Sequence, residues 1–205
     1  VVTIAPERLR ALAGRWVLPS GGALAIAVDG IALAVRAEGS DAMSALAPPP
    51  RGQAERFDQL TARTNDISSR SFKGDVAGLH EAMGGEMPLE QVKAQESGMM
   101  RDREERLGRF VKSTALATVP REGDTVQTIV RLDFEKASVY NVYIWGPRRI
   151  LGIRGMPQLP ALRYLPSSDH VFSAFALEAG GVARSLSFET AAGETVLRLP
   201  TPTGP

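Results

Sequence analysis

Apolar side chains alternate with period two near both ends of this chain and recur at helical spacing only in its middle, and this change of period constrains the fold more than any other feature. Leu24, Ile26 and Val28 alternate with Ala, Asp29-Gly30 follows, and Ile31, Leu33 and Val35 alternate again. That pattern predicts a hairpin closed by an Asp-Gly turn, because such a turn needs backbone at positive φ. Upstream, Pro6 to Leu12 reads as a short helical turn with Pro at a first helical position, followed by a strand from Gly14 to Leu18 that Pro19-Ser20-Gly21-Gly22 ends. Met43 to Leu46 is expected to add a fourth strand before Pro48-Pro49-Pro50. The far end repeats the texture in Leu162 to Leu165, His170 to Leu177, Val182 to Phe188 and Thr195 to Leu199, with turn residues between them. Eight short antiparallel strands predict a small closed or nearly closed barrel, in which residues near 1–47 and 161–199 pair in one sheet system.

Between the triple proline and Pro157-Gln158-Leu159-Pro160 the pattern becomes helical. Ala54 to Arg70 carries Phe57, Leu60 and Ile67 amid charge. A second helix starts at Gly74-Asp75, with Asp75 as N-cap and Val76, Leu79, His80 and Met83 on one side, and stops at Gly84-Gly85. A third runs from Pro88 through Leu89, Val92, Met99, Met100, Arg103 and Leu107 to Gly108, with a kink or break expected at Gly98. Strands follow at Phe110 to Val119, Thr125 to Phe134, Ser138 to Trp145 and Arg149 to Gly155. The fold class is therefore α+β: a small antiparallel β-barrel from residues 1–47 and 158–205, split by an inserted α+β domain, residues 51–157, with three helices packed on an antiparallel sheet.

The chemistry the chain lacks narrows its function. There is no Cys, which excludes disulfides and thiolate chemistry, and only two His, which disfavours a His-built metal site; neither a metal nor a cofactor is expected. A net charge of +1 gives no global support for nucleic-acid binding. No apolar run is long enough to span a bilayer as a helix. No Ser precedes a Lys by three residues, and no Gly-x-Ser-x-Gly elbow or phosphate-cradling Gly-rich loop occurs. His80-Glu81 opens like a zinc-protease helix, but the second ligand would fall on Gly84, so a helix histidine is the simpler reading. Asp169-His170 reads as a general-base pair or as a turn, and Arg101 to Arg106 as an anion holder or a solvated helix face. The constellation kept as a candidate ligand-binding site is Asp133, Tyr140, Tyr143 and Trp145, which would line a cavity if the middle domain is hollow and would simply pack its core if it is not. Period two sets Tyr143 and Trp145 on one face of their strand and Tyr140 on the other. No catalytic residue is assigned, and the chain by itself is expected to have no catalytic activity.

Leu9-Arg10-Ala11-Leu12-Ala13-Gly14-Arg15-Trp16, Leu18 to Leu24 and Asp29-Gly30-Ile31-Ala32-Leu33 resemble the opening of the lipocalin-like accessory domain found behind the catalytic domain of many serine-β-lactamase-like hydrolases. Leu165 to Phe172 and Ser187 to Glu194 resemble its closing pattern. The middle resembles the cone-shaped α+β fold of the ketosteroid isomerase and nuclear-transport-factor superfamily, although Gly84-Gly85-Glu86-Met87 is too short for the strand that fold places between its second and third helices. The resemblance implies a non-catalytic accessory region of a larger bacterial hydrolase, secreted or periplasmic, that packs against or gates a catalytic domain in the same or a neighbouring chain. The alternative it implies is a small-molecule-binding or isomerase-like cone domain with an apolar pocket.

Overall fold

A computed structural model describes residues 2–121, 123–176, 182–191 and 193–199. The chain divides into two compact units, one formed by Val1–Gly52, Val119–Gly123 and Leu159–Pro205 and the other by Gln53–Thr118 and Asp124–Gln158.

The first unit begins with helix α1 (Pro6–Leu12), which buries Leu9 and Leu12. Strands β1 (Gly14–Val17), β2 (Ala23–Asp29) and β3 (Ala32–Glu38) follow, then helix α2 (Ser40–Leu46). The expected strand at Met43 to Leu46 is thus the end of a helix. Ala42, Met43 and Leu46 are its buried residues, a spacing of one, three and four that suits a helix face, and no period-two alternation competes with it. α2 lies so close to β2 that a Cβ on Gly22 would meet the Ala42 nitrogen at 2.8 Å, which leaves only glycine there. The hairpin turn also sits one residue later than expected: Asp29 pairs with Ala32, so Gly30 and Ile31 are its central residues, and Gly30 takes φ 61°.

Four strands complete this unit: β8 (Leu162–Pro166), β9 (Val171–Ala176), β10 (Val182–Ala191) and β11 (Glu194–Arg198), numbered after the four of the second unit. Leu177, the Gly180-Gly181 turn and Ala192 lie outside the described residues. The sheet order is β1-β2-β3-β8-β9-β10-β11, all antiparallel, and the two ends of the sequence meet where Leu33, Ala34 and Val35 pair with Tyr164, Arg163 and Leu162. Seven strands, one fewer than expected, form this sheet. It is strongly curled. In a flat sheet β1 and β10 would stand about 24 Å apart at the usual strand spacing, yet the Trp16 and Phe188 rings meet edge to face at 5.5 Å. The curl encloses Leu24, Ile26, Leu33, Val35, Phe172 and Leu186, with Leu9 and Leu12 of α1 packed among them.

The second unit carries α3 (Ala54–Ser71), α4 (Ala77–Ala82), α5 (Leu89–Leu107) and a four-stranded antiparallel meander, β4 (Phe110–Pro120), β5 (Val126–Phe134), β6 (Ser138–Trp145) and β7 (Ile150–Met156). Along β5 every second residue, Val126, Thr128, Val130, Leu132 and Phe134, is buried. Their face meets Phe57 and Ile67 of α3, Leu79 of α4 and Val92 of α5 in one core. α4 starts slightly later than expected: Val76 occupies its N-cap, while Asp75 Oδ1 accepts from the Ala77 amide at 3.2 Å and Asp75 Oδ2 is held by Arg70 at 2.6 Å. α5 passes through Gly98 as one helix instead of breaking there. Glycine inside a helix costs only about 1 kcal/mol relative to alanine, and contacts of Val92 and Met100 with the core hold the helix on both sides of it.

Candidate binding site

The two aromatic residues of β6 singled out in the sequence lie on the helix-facing side of the sheet. Trp145 pairs with Val126 and Tyr143 with Thr128, and both aromatic residues are 1% exposed. Trp145 donates from Nε1 to Thr64 Oγ1 at 3.0 Å, and Thr64 in turn donates to the Leu60 carbonyl. Tyr140 and Asp133 are on the other side of the sheet by strand period. There Asp133 pairs with Arg131 at 3.0 Å and accepts from Ser138 Oγ. The four candidates are therefore split two and two between the faces of the sheet.

A different polar cluster forms around the Tyr143 hydroxyl. α3 contributes Ser68 and Ser71, α5 contributes Glu96 and Arg103, and β6 contributes Asn141, two residues from Tyr143 and on the same face. Ser71 Oγ donates to Glu96 Oε2 at 3.3 Å, and Arg103 Nη2 donates to Asn141 Oδ1 at 2.9 Å. Arg103 reaches across β6 because Asn141 pairs with Gly155, whose missing side chain leaves the guanidinium room; a Cβ there would meet Arg103 Nη2 at 3.2 Å. Arg103 Nη1 is buried without a hydrogen-bond partner among the described residues, and the buried Ser68 Oγ faces the Tyr143 hydroxyl.

Burial sets the protonation behaviour. The Glu96 carboxyl is held above its ordinary value by desolvation, against the opposing pull of the Ser71 hydroxyl and Arg103. The Arg103 guanidinium is lowered, again by desolvation first, while Glu96 opposes the shift. Tyr143 is pushed up to about 12 by burial, with Ser68 and Asn141 partly offsetting the effect. The cluster thus offers one carboxyl that is easier to protonate than usual, beside one fixed cation. Glu96 also lines a groove of about 290 Å³, together with Phe72, Val76, Met100, Arg101 and Glu104.

Sequence reasoning missed Ser68, Ser71, Glu96 and Asn141, and named Arg103 only as part of the third helix and of the charged run Arg101 to Arg106. The signal was present in the spacing: Ser68 and Ser71 share a helix face next to Ile67, and Glu96 and Arg103 are seven apart, two turns on one face. The other sequence candidates resolve into structural roles. His80 Nε2 bonds the Met87 carbonyl at 2.8 Å and ties the turn after α4. Asp169 faces Arg8 at 3.9 Å, and the His170 carbonyl accepts from Phe188. Within Arg101 to Arg106 the side chains diverge: Arg103 turns inward, Glu104 accepts from the Phe110 amide, and Arg106 bonds the Asp102 carbonyl.

Among the described residues no group of three or more His, Asp or Glu side chains is placed to hold a metal ion, and no helix is long and apolar enough to cross a membrane. No family model matches the sequence, and neither the curated proteins nor the solved structures contain a significant match. The resemblances of the two ends and of the middle therefore stand on their short motifs alone.

Proposed function

We propose that the α+β unit binds a small molecule that has an apolar body and one hydrogen-bond donor, a hydroxyl or an amine, and that Glu96 receives the donor. The observation that supports this most is the half-buried Glu96 carboxyl, raised by desolvation and lining a groove with apolar Phe72, Val76 and Met100 on its walls. A buried donor without a partner, Arg103 Nη1, lies in the same cluster, which suits recognition more than stability. In this reading Glu96 binds and orients the ligand. The site differs from the apolar cavity that the cone resemblance implies, because its recognition is polar.

Binding is tested with cyclohexylamine, cyclohexanol and cyclohexanecarboxylate titrated into the full chain. The amine and the alcohol are expected to bind saturably and the carboxylate not, with Glu96→Gln weakening the amine about tenfold, the scale of one charged hydrogen bond. The same substitution has a pH signature. Because the folded state holds the Glu96 proton more tightly than the unfolded chain does, ionisation of Glu96 costs stability. That cost is absent well below pH 4.5, grows as the pH rises from 4.5 through the raised folded-state value, and is complete above it. The Tm of the native chain should fall relative to Glu96→Gln across that window. Three silent titrations together with parallel Tm curves would defeat the reading.

The accessory role implied by the terminal motifs remains a second proposal, with the catalytic domain of a serine hydrolase as partner. Apolar Val17, Val28 and Ile31 exposed on the β1-β2-β3 segment favour it, since hairpin tips are usually polar. A Ser-x-x-Lys domain encoded immediately before Val1 would support this role, and an unrelated preceding sequence would oppose it.

A further inference from the structure

A second concavity of the α+β unit, of about 180 Å³, has walls of unusual charge: Arg56 and Arg63 of α3 and Arg148 of the β6–β7 turn, with Gln59, Trp145 and Pro147 completing it. Arg56 and Arg63 are seven residues apart and so share one helix face. Arg148 is carried by a tight turn in which the Gly146 amide donates to the Arg149 carbonyl at 2.8 Å. The Arg63 guanidinium carbon lies 5.1 Å from the centre of the Trp145 ring, which Thr64 fixes from behind. Stacking of that kind orients the planar fork before any ligand arrives.

Charge balance separates these three arginines from their neighbours. Arg149, next in sequence to Arg148, pairs with Glu86, and Arg70, further along α3, pairs with Asp75 and Asp66. Among the described residues Arg56, Arg63 and Arg148 have no carboxylate partner: Arg56 meets only the Gln53 amide oxygen, at 3.4 Å, and the adjacent Glu55 is engaged by Gln59 Nε2 at 3.1 Å. Three guanidinium groups thus converge on one small depression with no acid in its lining.

We propose that this depression is a binding site for a phosphate group, free or carried by a small ester. Guanidinium forks match tetrahedral oxyanions bidentately, and three of them supply more donors than a single carboxylate can accept. A nucleic-acid backbone is disfavoured, because its recognition needs cationic groups spread along a surface in excess, whereas the net charge here is +1 and these three arginines line one small depression. The site is separate from the Glu96 groove and does not rest on the reading given for it.

The test is calorimetric titration of the full chain at low salt with inorganic phosphate, glycerol 3-phosphate and acetate. Both phosphates should bind saturably at one site and acetate should not. Arg63→Gln and Arg148→Gln should each weaken binding about tenfold or more, the loss expected for charge-assisted bonds. Arg63→Lys should retain part of the affinity, and Arg8→Gln, which touches only the other unit, should retain all of it. Tighter binding of the ester assigns the site to a phosphorylated small molecule, and equal binding assigns it to free phosphate. Absence of saturable phosphate binding by the native chain overturns the proposal, and so does an Arg8→Gln loss equal to that of Arg63→Gln. Should Arg63→Gln fail to fold, Arg148→Gln on its exposed turn and the native titration still decide.

Discussion

The two units solve the same packing problem with different materials. Among the described residues the β-rich unit closes around aliphatic and aromatic side chains, with the Tyr164 hydroxyl buried among them. In the α+β unit the helix–sheet interface is threaded with polar groups: the six buried polar residues found among the described ones, Thr64, Ser68, Ser71, Thr118, Thr128 and Asn141, all belong to it. Thr61, Thr118 and Thr128 form a hydroxyl chain at 2.7 and 2.8 Å from α3 to β5, and Asn65 accepts from the Ala115 amide on the edge strand. Buried polar groups gain little net stability even when satisfied and cost more when they are not. The difference teaches that one chain can close two cores with different materials: the first is almost wholly apolar among its described residues, and the second holds a specific arrangement of donors and acceptors.

Truncating each core gives the largest expected effects and tests whether the two cores are equally tight. Phe172→Ala and Trp145→Ala should each lower the stability of their own unit by about 3 to 5 kcal/mol, since both rings are essentially buried. Denaturant unfolding followed by far-ultraviolet circular dichroism reads both losses, and Trp16, the one tryptophan left in Trp145→Ala, reports the first unit alone in that variant. A loss below about 1 kcal/mol for Trp145→Ala would mean that the second core is loose, and the comparison would fail there. A smaller effect is expected at Thr64→Val, which keeps the shape but leaves the Trp145 Nε1–H without its acceptor, for about 1 to 3 kcal/mol. Smallest is Tyr164→Phe in the other unit, expected within about 0.5 kcal/mol of the native chain, because the hydroxyl it removes has no partner. Equal losses at Thr64→Val and Tyr164→Phe, read from the same denaturation curves, would erase the distinction between the cores.

What could be read from the sequence follows the same division. Period-two alternation located β2, β3 and β5, because one face of each is buried and the side-chain pattern has to say so. It failed at α2, where a seven-residue Ala-rich segment contains too few large side chains to reveal its period. Glycine misled at Gly98, since its cost is real but smaller than what the packed face of α5 supplies. Of the candidate site, the aromatic pair Tyr143 and Trp145 was legible as a shared strand face. Glu96 and Arg103 were hidden inside an ordinary-looking charged helix, where only the position of α5 over Asn141 and Gly155 separates inward charges from solvated ones. Charge identity is written in a sequence, but its burial is a tertiary property.

The pairing of β3 with β8 has a consequence for how the molecule is made. Asp29 and Arg163, whose side chains join beside that pairing, stand 134 positions apart. At about 5 to 20 residues per second, the ribosome needs roughly seven to thirty seconds between presenting the first and delivering the second. Throughout that interval the hairpin of β2 and β3 has an open hydrogen-bonding edge on the β3 side, while all of Gln53–Gln158 emerges and can fold behind it. An open edge bearing Leu33 and Val35 is the kind of surface that pairs wrongly with a neighbouring nascent chain. The vulnerable product of synthesis is therefore the β2–β3 hairpin, and a circular permutant that places residues 159–199 ahead of it would shorten its exposure while supplying the same partner strand to β3.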